Sequence, residues 1–343
     1  MRARRTPAPL AALALLTTAC GDAPTAPRAA AAVAATAAGP KPPTAAASLA
    51  LVGAGTLAAL AVNDAGQTVG YADDADAQFG VRPYAATASG AVLLTMSTPG
   101  ASGEANAVNA AGVIVGSEYG QASEGPFLSA LRWASAAAAP TRLAPGCASS
   151  GAEGINDAGT VAGDCDGAAV VWEGPALTMR RVAAAGECES STALAINARG
   201  DVAGTCDGTA RIWLAAGGHA DVGAQARRAS STAYALNDRG DAVGRINDRA
   251  VLWSGGRVTY LPGLSGGEWA LAAGIDDQGR VVGQAYDRKA ERYVPVIWVG
   301  GKLGVLPSAP GVASDGFASA IVGGRVAGSA SGTAAVWTLT GAQ

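Results

Sequence analysis

Short apolar runs alternate with polar turns along most of this chain, and the alternation recurs as one unit. Gly154 to Trp172 shows it: Gly-Ile-Asn-Asp-Ala-Gly-Thr-Val-Ala-Gly-Asp-Cys-Asp-Gly-Ala-Ala-Val-Val-Trp. The pattern predicts three short strands joined by two tight turns. In the first turn, Asn-Asp-Ala-Gly, Gly159 supplies the positive φ that closes a hairpin with a bulge. The second, Asp166-Gly167, is a two-residue hairpin signal. Variants of the unit run from residue 59 to 337.

Aligned on the Gly that closes the second strand, the chain holds seven copies, at Gly70, Gly116, Gly163, Gly204, Gly244, Gly283 and Gly328. The turn ahead of that Gly begins with Asn63, Asn109, Asn156, Asn197, Asn237 or Asp276, and in copy seven degenerates to Ile321-Val-Gly-Gly. Asn or Asp at that place bonds its own downstream backbone. The third strand ends in Trp at 133, 172, 213, 253, 298 and 337, with Ala88 taken as the counterpart in copy one. A fourth strand follows, as in Gly255-Gly256-Arg-Val-Thr-Tyr-Leu. Four strands at a period near forty predict an all-β, seven-bladed β-propeller of four-stranded blades, with an open β-solenoid as the rival. Copy seven lacks room for a fourth strand, and Ser48-Leu-Ala-Leu-Val52 lies unassigned ahead of copy one. This strand is expected to complete blade seven and close the ring, removing an exposed edge. That order puts the Ala-rich first strand innermost.

Ahead of the repeats, Arg2, Arg4 and Arg5 precede the apolar run Leu10–Leu16 and the small residues before Cys20. Residues 1–19 read as a lipoprotein signal peptide with Cys20 as the lipidated residue, and an ordinary secretory signal cut near Ala19 as the alternative. The apolar run is too short to span a membrane. Residues 20–47 form an Ala/Pro/Thr tether with little to pack, leaving 48–343 for the propeller. Without residues 1–19 the chain carries 21 basic against 27 acidic residues, which argues against a nucleic-acid partner.

These motifs resemble the HAF repeat family of bacterial extracellular proteins, through the A-x-A-I-N-D-x-G-x-V-V-G portion and the Trp-bearing strand over residues 56 to 340. The His-Ala-Phe triplet that names the family is absent. Pro83-Tyr84-Ala85-Ala86, Ser129-Ala130-Leu131 or Ala/Val runs stand in its place. The resemblance implies an exported repeat protein, a propeller, and no catalytic activity.

Apart from Cys20 there are four cysteines, and each of Cys147 and Cys165 lies nine residues from Asn156, as Cys188 and Cys206 do from Asn197. Placement symmetric about a hairpin predicts disulfides Cys147–Cys165 and Cys188–Cys206, on facing first and second strands, in an oxidising compartment. A zinc site would need CxxC spacing or a nearby His. The single histidine, His219, falls at the turn between third and fourth strands and reads as a solvated residue. Asp73, Asp74 and Asp76 could attract Ca²⁺, but no Gly or distal Glu follows at the usual spacing, and a solvated acidic loop is expected instead. No motif calls for a cofactor.

Loop length is the remaining clue. From the second-strand Gly to the Trp position is nine residues in copies three, four, five and seven, but 18, 17 and 15 in copies one, two and six. The insertions carry Phe79, Arg82, Tyr84, Tyr119, Glu124, Phe127, Tyr286, Arg288, Lys289, Glu291, Arg292 and Tyr293, and a connection between blades adds Trp269. Aromatic and charged loops on a rigid scaffold suit recognition. The expectation is a non-enzymatic, monomeric, lipid-anchored binding module at the cell envelope, its partner an extracellular protein or glycan. The alternative is a carbohydrate-active hydrolase or lyase using carboxylates on the same face.

Overall fold

The computed structural model describes residues 46–53, 55–222, 230–264, 269–308 and 315–340. The signal peptide, Cys20 and nearly all of the tether lie outside the described residues. Seven four-stranded antiparallel sheets form the blades of a propeller. Their innermost strands are Thr56–Val62, Ser102–Val108, Ser150–Ile155, Ser191–Ile196, Ser231–Leu236, Ala270–Ile275 and Gly316–Val322. Each touches the innermost strands of the two flanking blades, those of blades 7 and 1 included. In blades 1 to 6 the four strands follow in chain order from the inside outward. Blade 7 takes its outermost strand from the N-terminal side: Ala47–Leu51 pairs antiparallel with Thr333–Leu339, Ala47 opposite Leu339 and Leu51 opposite Ala335.

The glycine on which the copies align has a steric cause. Every innermost strand bulges one residue after the position facing that Gly, and the second strand is pressed against it. A Cβ at any of the seven glycines would lie 1.8–2.1 Å from a main-chain oxygen of the first strand. No side chain fits there.

The Asn of each first turn does more than the local job read from the sequence. Its Oδ1 accepts the amide four residues on, as at Gln67, Val113, Thr160, Asp201 and Asp241. Its Nδ2 donates to the carbonyl of the equivalent residue one blade ahead. The series runs Asn63 to Asn109, Asn109 to Asn156, Asn156 to Asn197, Asn197 to Asn237 and Asn237 to Asp276, at 2.9–3.2 Å. Asp276 has no amide to pass on, and the next copy has Ile321 in its place. Its carboxylate is held instead by buried Arg280 at 2.6 Å. Between blades 7 and 1 Arg325 takes over, donating to the Asp64 carbonyl at 2.8 Å.

The core lies between blades. Trp133, Trp172, Trp298 and Trp337 are fully buried against the preceding blade. In blade 1 the register corrects the sequence reading: the Trp position is Ala86, facing Thr68, and not Ala88. The bulk missing there comes from Tyr84, which is 1% exposed and packs among Ala59, Val62, Ala327 and Ala334 between blades 1 and 7.

Both predicted disulfides are present, Cys147–Cys165 and Cys188–Cys206. One detail differs, since Cys147 and Cys188 sit three residues ahead of the first strands, in the loops entering blades 3 and 4. Elsewhere the indole N–H of the third-strand Trp ties down the entering loop, Trp133 to Thr95, Trp298 to Pro262 and Trp337 to Pro307. Trp172 and Trp213, in the two disulfide blades, have no such partner. The covalent link fastens the loop where the indole does not reach it.

Candidate functional site

Strand order places two kinds of loop on one face, the hairpins between second and third strands and the connections between blades. The long hairpins of blades 1 and 2 are locked together there. Gln78 donates its side-chain amide to the Gln121 carbonyl at 3.1 Å and accepts the Gln121 amide at 2.6 Å. The Phe79 amide donates to Ser102 Oγ at 2.7 Å. Phe79 itself is 56% exposed, with its ring stacked on Tyr119 at 6.0 Å. Phe127 is half-buried beside them and Glu124 is exposed at the tip.

Blade 6 builds a second aromatic group. Trp269 meets Tyr293 edge-on at 4.7 Å, and Tyr286 meets Tyr293 at 5.2 Å. Burial, then Tyr286, Asp315 and Asp248, push the Tyr293 hydroxyl up. Arg288, Lys289 and Glu291 are exposed at this hairpin, and Arg292 is half-buried. Among the described residues no ring contact joins the two aromatic groups, so the predicted face is two patches on blades 1–2 and 6.

Two residues predicted for the face do other work. Tyr84 belongs to the core, because Ala86 leaves room that a Trp fills elsewhere. Arg82 is tied at its base, pairing with Asp74 at 3.1 Å and donating to the Leu94 carbonyl at 2.9 Å. With Asp74, Asp76, Thr95, Met96, Pro99 and Gly100 it lines a cleft of about 270 Å³. Asp74 also accepts the Asp76 amide, so its oxygens are engaged within the loop. Asp73, Asp74 and Asp76 do not form a group of metal-ligand geometry; among the described residues the one such group is Cys147, Cys165 and Asp166, whose two cysteines are already joined as a disulfide. His219 begins the outermost strand of blade 4 and lies 2.7 Å from Glu187.

Nearer the axis lies a cluster that loop length does not reveal. Glu104 is on the innermost strand of blade 2, Glu153 occupies the bulge of the innermost strand of blade 3, and Asp164 follows the invariant Gly163. Asp164 Oδ1 and Glu153 Oε1 each lie 3.0 Å from where a Gly151 side chain would begin, so the two oxygens are within about 6 Å of each other. Ser117 Oγ is 3.6 Å from the same point. Asn106 donates to Glu153 at 3.2 Å. Glu104 is 5% exposed and its Oε2 has no hydrogen-bond partner, nor do Asp164 Oδ1 and Asn106 Oδ1.

Burial pushes Glu104 up to about 7. Burial, then Glu104 and Asp164, push Glu153 up to about 8, and burial with Asp166 pushes Asp164 up to about 7. The hydroxyls of Tyr71 and Tyr119 are raised by burial and also feel Glu104. All three carboxyls therefore exchange protons near neutrality, which suits them to charged ligands or to acid–base work.

The sequence held a signal for this cluster. At the position of Glu104 the other copies carry Ala58, Gly151, Thr192, Thr232, Leu271 and Phe317. At the bulge of Glu153 they carry Leu60, Asn106, Leu194, Tyr234, Ala273 and Ser319. Reading the copies column by column, rather than by insertion length, singles out both acids.

No family model matches the chain, and no curated protein does. Solved structures do match. A streptogramin B lyase structure superposes with a TM-score of 0.59 at 8% identity, covering 86% of this chain and 98% of that one. Selenomethionine-substituted virginiamycin B lyase from Staphylococcus aureus gives 0.56 at 9% identity, covering 86% and 100%. A catalytically inactive histidine-to-alanine form of that lyase, with quinupristin, gives 0.58 at 8% identity, covering 86% and 99%. At such identity the likeness is one of fold, and the fold is a β-propeller.

Proposed function

We propose that this chain is an exported, lipid-anchored propeller that binds an extracellular protein or glycan on the face carrying the long hairpins. The observation behind this reading is the mutual lock of the blade 1 and blade 2 hairpins. Gln78 and Gln121 fix two loops from different blades, and the fixed loops hold Phe79 out in water against Tyr119. An exposed aromatic on a rigid support loses little freedom when a partner covers it. Export and anchoring rest on Arg2–Cys20 and agree with two disulfides; a Cys20→Ala change should move the protein out of the membrane fraction. The binding test is a glycan and cell-wall array probed with the full chain, then with the hairpins at 74–80 and 287–291 trimmed. Trimming should abolish the signal, and unchanged binding would refute the placement.

A second reading has one observation in its favour. Glu153 and Asp164 bring carboxyl oxygens within about 6 Å of each other, a limit that admits the roughly 5–5.5 Å pairing of retaining glycosidases. Three of the structural neighbours are lyases, and one of these is described as inactive when a histidine is replaced. The sole histidine here, His219, is on an outermost strand, so this reading gives the acid–base work to Glu153 and Asp164. Product release from the arrayed glycans, lost in Glu153→Gln, would establish that alternative.

A further inference from the structure

We infer that the two inner strands of blades 1 to 3 form a binding site for an organic cation, an amine or guanidinium group held by Glu104, Glu153 and Asp164 with Tyr71 and Tyr119 beside them. The inference deepens the binding reading above and rests on it. Three buried polar atoms here lack a partner, Glu104 Oε2, Asn106 Oδ1 and Asp164 Oδ1, and all three are hydrogen-bond acceptors. Buried acceptors left unpaired are costly, and what they lack is a donor. Glu104 is the telling one. It is nine-tenths buried and stands opposite Ser117 across the sheet, on the same face as that hydroxyl, whose Oγ lies 3.6 Å from the point that Glu153 and Asp164 flank.

The charges that act on the three acids are those of other acids: Glu104 and Asp164 on Glu153, and Asp166 on Asp164. Such a set favours a cation. It is spread too widely for a metal ion, because Ca²⁺ draws its oxygens to about 2.3–2.6 Å from one centre. No three of these carboxylates bring ligand atoms within 4.8 Å of one another. A guanidinium fans five N–H donors across several ångströms, and aromatic faces attract it. Glu153, Asp164, Tyr71 and Tyr119 are each part-exposed, whereas Glu104 is buried.

The test is calorimetric titration of the full-length chain with agmatine, which carries a guanidinium and an ammonium, alongside CaCl₂ and MgCl₂. Agmatine should bind with release of protons, read from two buffers of different ionisation enthalpy, because a bound cation favours the ionised acids. The titratable groups at the site are Glu104, Glu153, Asp164, Tyr71 and Tyr119, with the exposed Asp166 acting on Asp164 from the neighbouring turn. Affinity should therefore climb between pH 6 and pH 8.5. Glu104→Gln and Glu153→Gln should each weaken binding about tenfold or more, the loss expected for removing a charge-assisted hydrogen bond. Should a variant fail to fold, proton release and the pH profile of the unaltered chain decide the matter.

Absence of agmatine binding, full binding by both Gln variants, or acid-dependent binding of the metal ions instead would overturn the inference. The array separates this from the wider reading. Hairpin-dependent array binding without agmatine binding removes only the cation site. Agmatine binding with an array signal that trimming leaves intact supports the cation site and removes the hairpin reading.

Discussion

A methyl group at Gly204 would meet the Thr192 carbonyl oxygen at 1.8 Å, whereas one at Gly208, in the neighbouring hairpin, would meet nothing within 4 Å. Both are glycines of one blade, and their constraints differ in kind. Gly204→Ala must displace backbone and should cost about 3 kcal/mol or more. Gly208→Ala bears only left-handed strain, φ being 75°, and should cost about 1 kcal/mol. Urea denaturation of the two variants checks the contrast. The sequence marked Gly204 by recurrence but could not give the reason, because the bulge that crowds it is a property of the strand opposite.

The acids on the inner strands of blades 2 and 3 make a second prediction at this scale. Their folded values, about 7 for Glu104 and Asp164 and about 8 for Glu153, stand above those of an unfolded chain. The folded state thus binds more protons, and stability from these groups is whole below about pH 4 and is lost as pH rises through 7 to 8. Denaturation curves from pH 5 to 8.5 should show stability falling by up to about 1.4 kcal/mol per pH unit for each group. Glu104→Gln should flatten that decline and stabilise the protein at pH 8.5. These residues escaped a reading based on insertions because they sit in strands of ordinary length.

Among the elements, the first turn joins blades as well as closing a hairpin. Asn156 bonds the Thr160 amide and the Asn197 carbonyl at once. Asn156→Ala should cost about 1–3 kcal/mol, as expected for stranding buried partners, and a thermal melt would register it. The second turn residue adds to this, Asp157, Asp238 and Asp277 each accepting an amide from the preceding blade's turn. The Asn-Asp signature was plain in the sequence, yet its contacts lie 39 to 47 residues away and needed the ring to become visible. The disulfides were legible from spacing alone. Replacing Cys188 and Cys206 by Ser should cost about 2–4 kcal/mol, since the loop entering blade 4 has no indole N–H to hold it.

For the whole molecule, the repeat count and the place of Ala47–Leu51 at the outer edge of blade 7 could be read from the chain, because seven copies with one fourth strand missing leave a single candidate. We propose that this strand keeps the ring shut. A chain lacking residues 46–52 should expose the edge of Thr333–Leu339, unfold over a broader transition and self-associate. Sequence reading also put the hairpins of copies one, two and six on one face, but treated Tyr84 as part of it, since burial between blades 7 and 1 depends on the two ends of the chain meeting. The most direct test of the binding face compares a double variant with a point variant on the cell-wall and glycan array. Phe79→Ala combined with Tyr119→Ala should abolish the signal of the full chain, while Leu214→Ser, an exposed residue at a turn of the opposite face, should leave it intact. Equal signals from the two proteins would contradict the account.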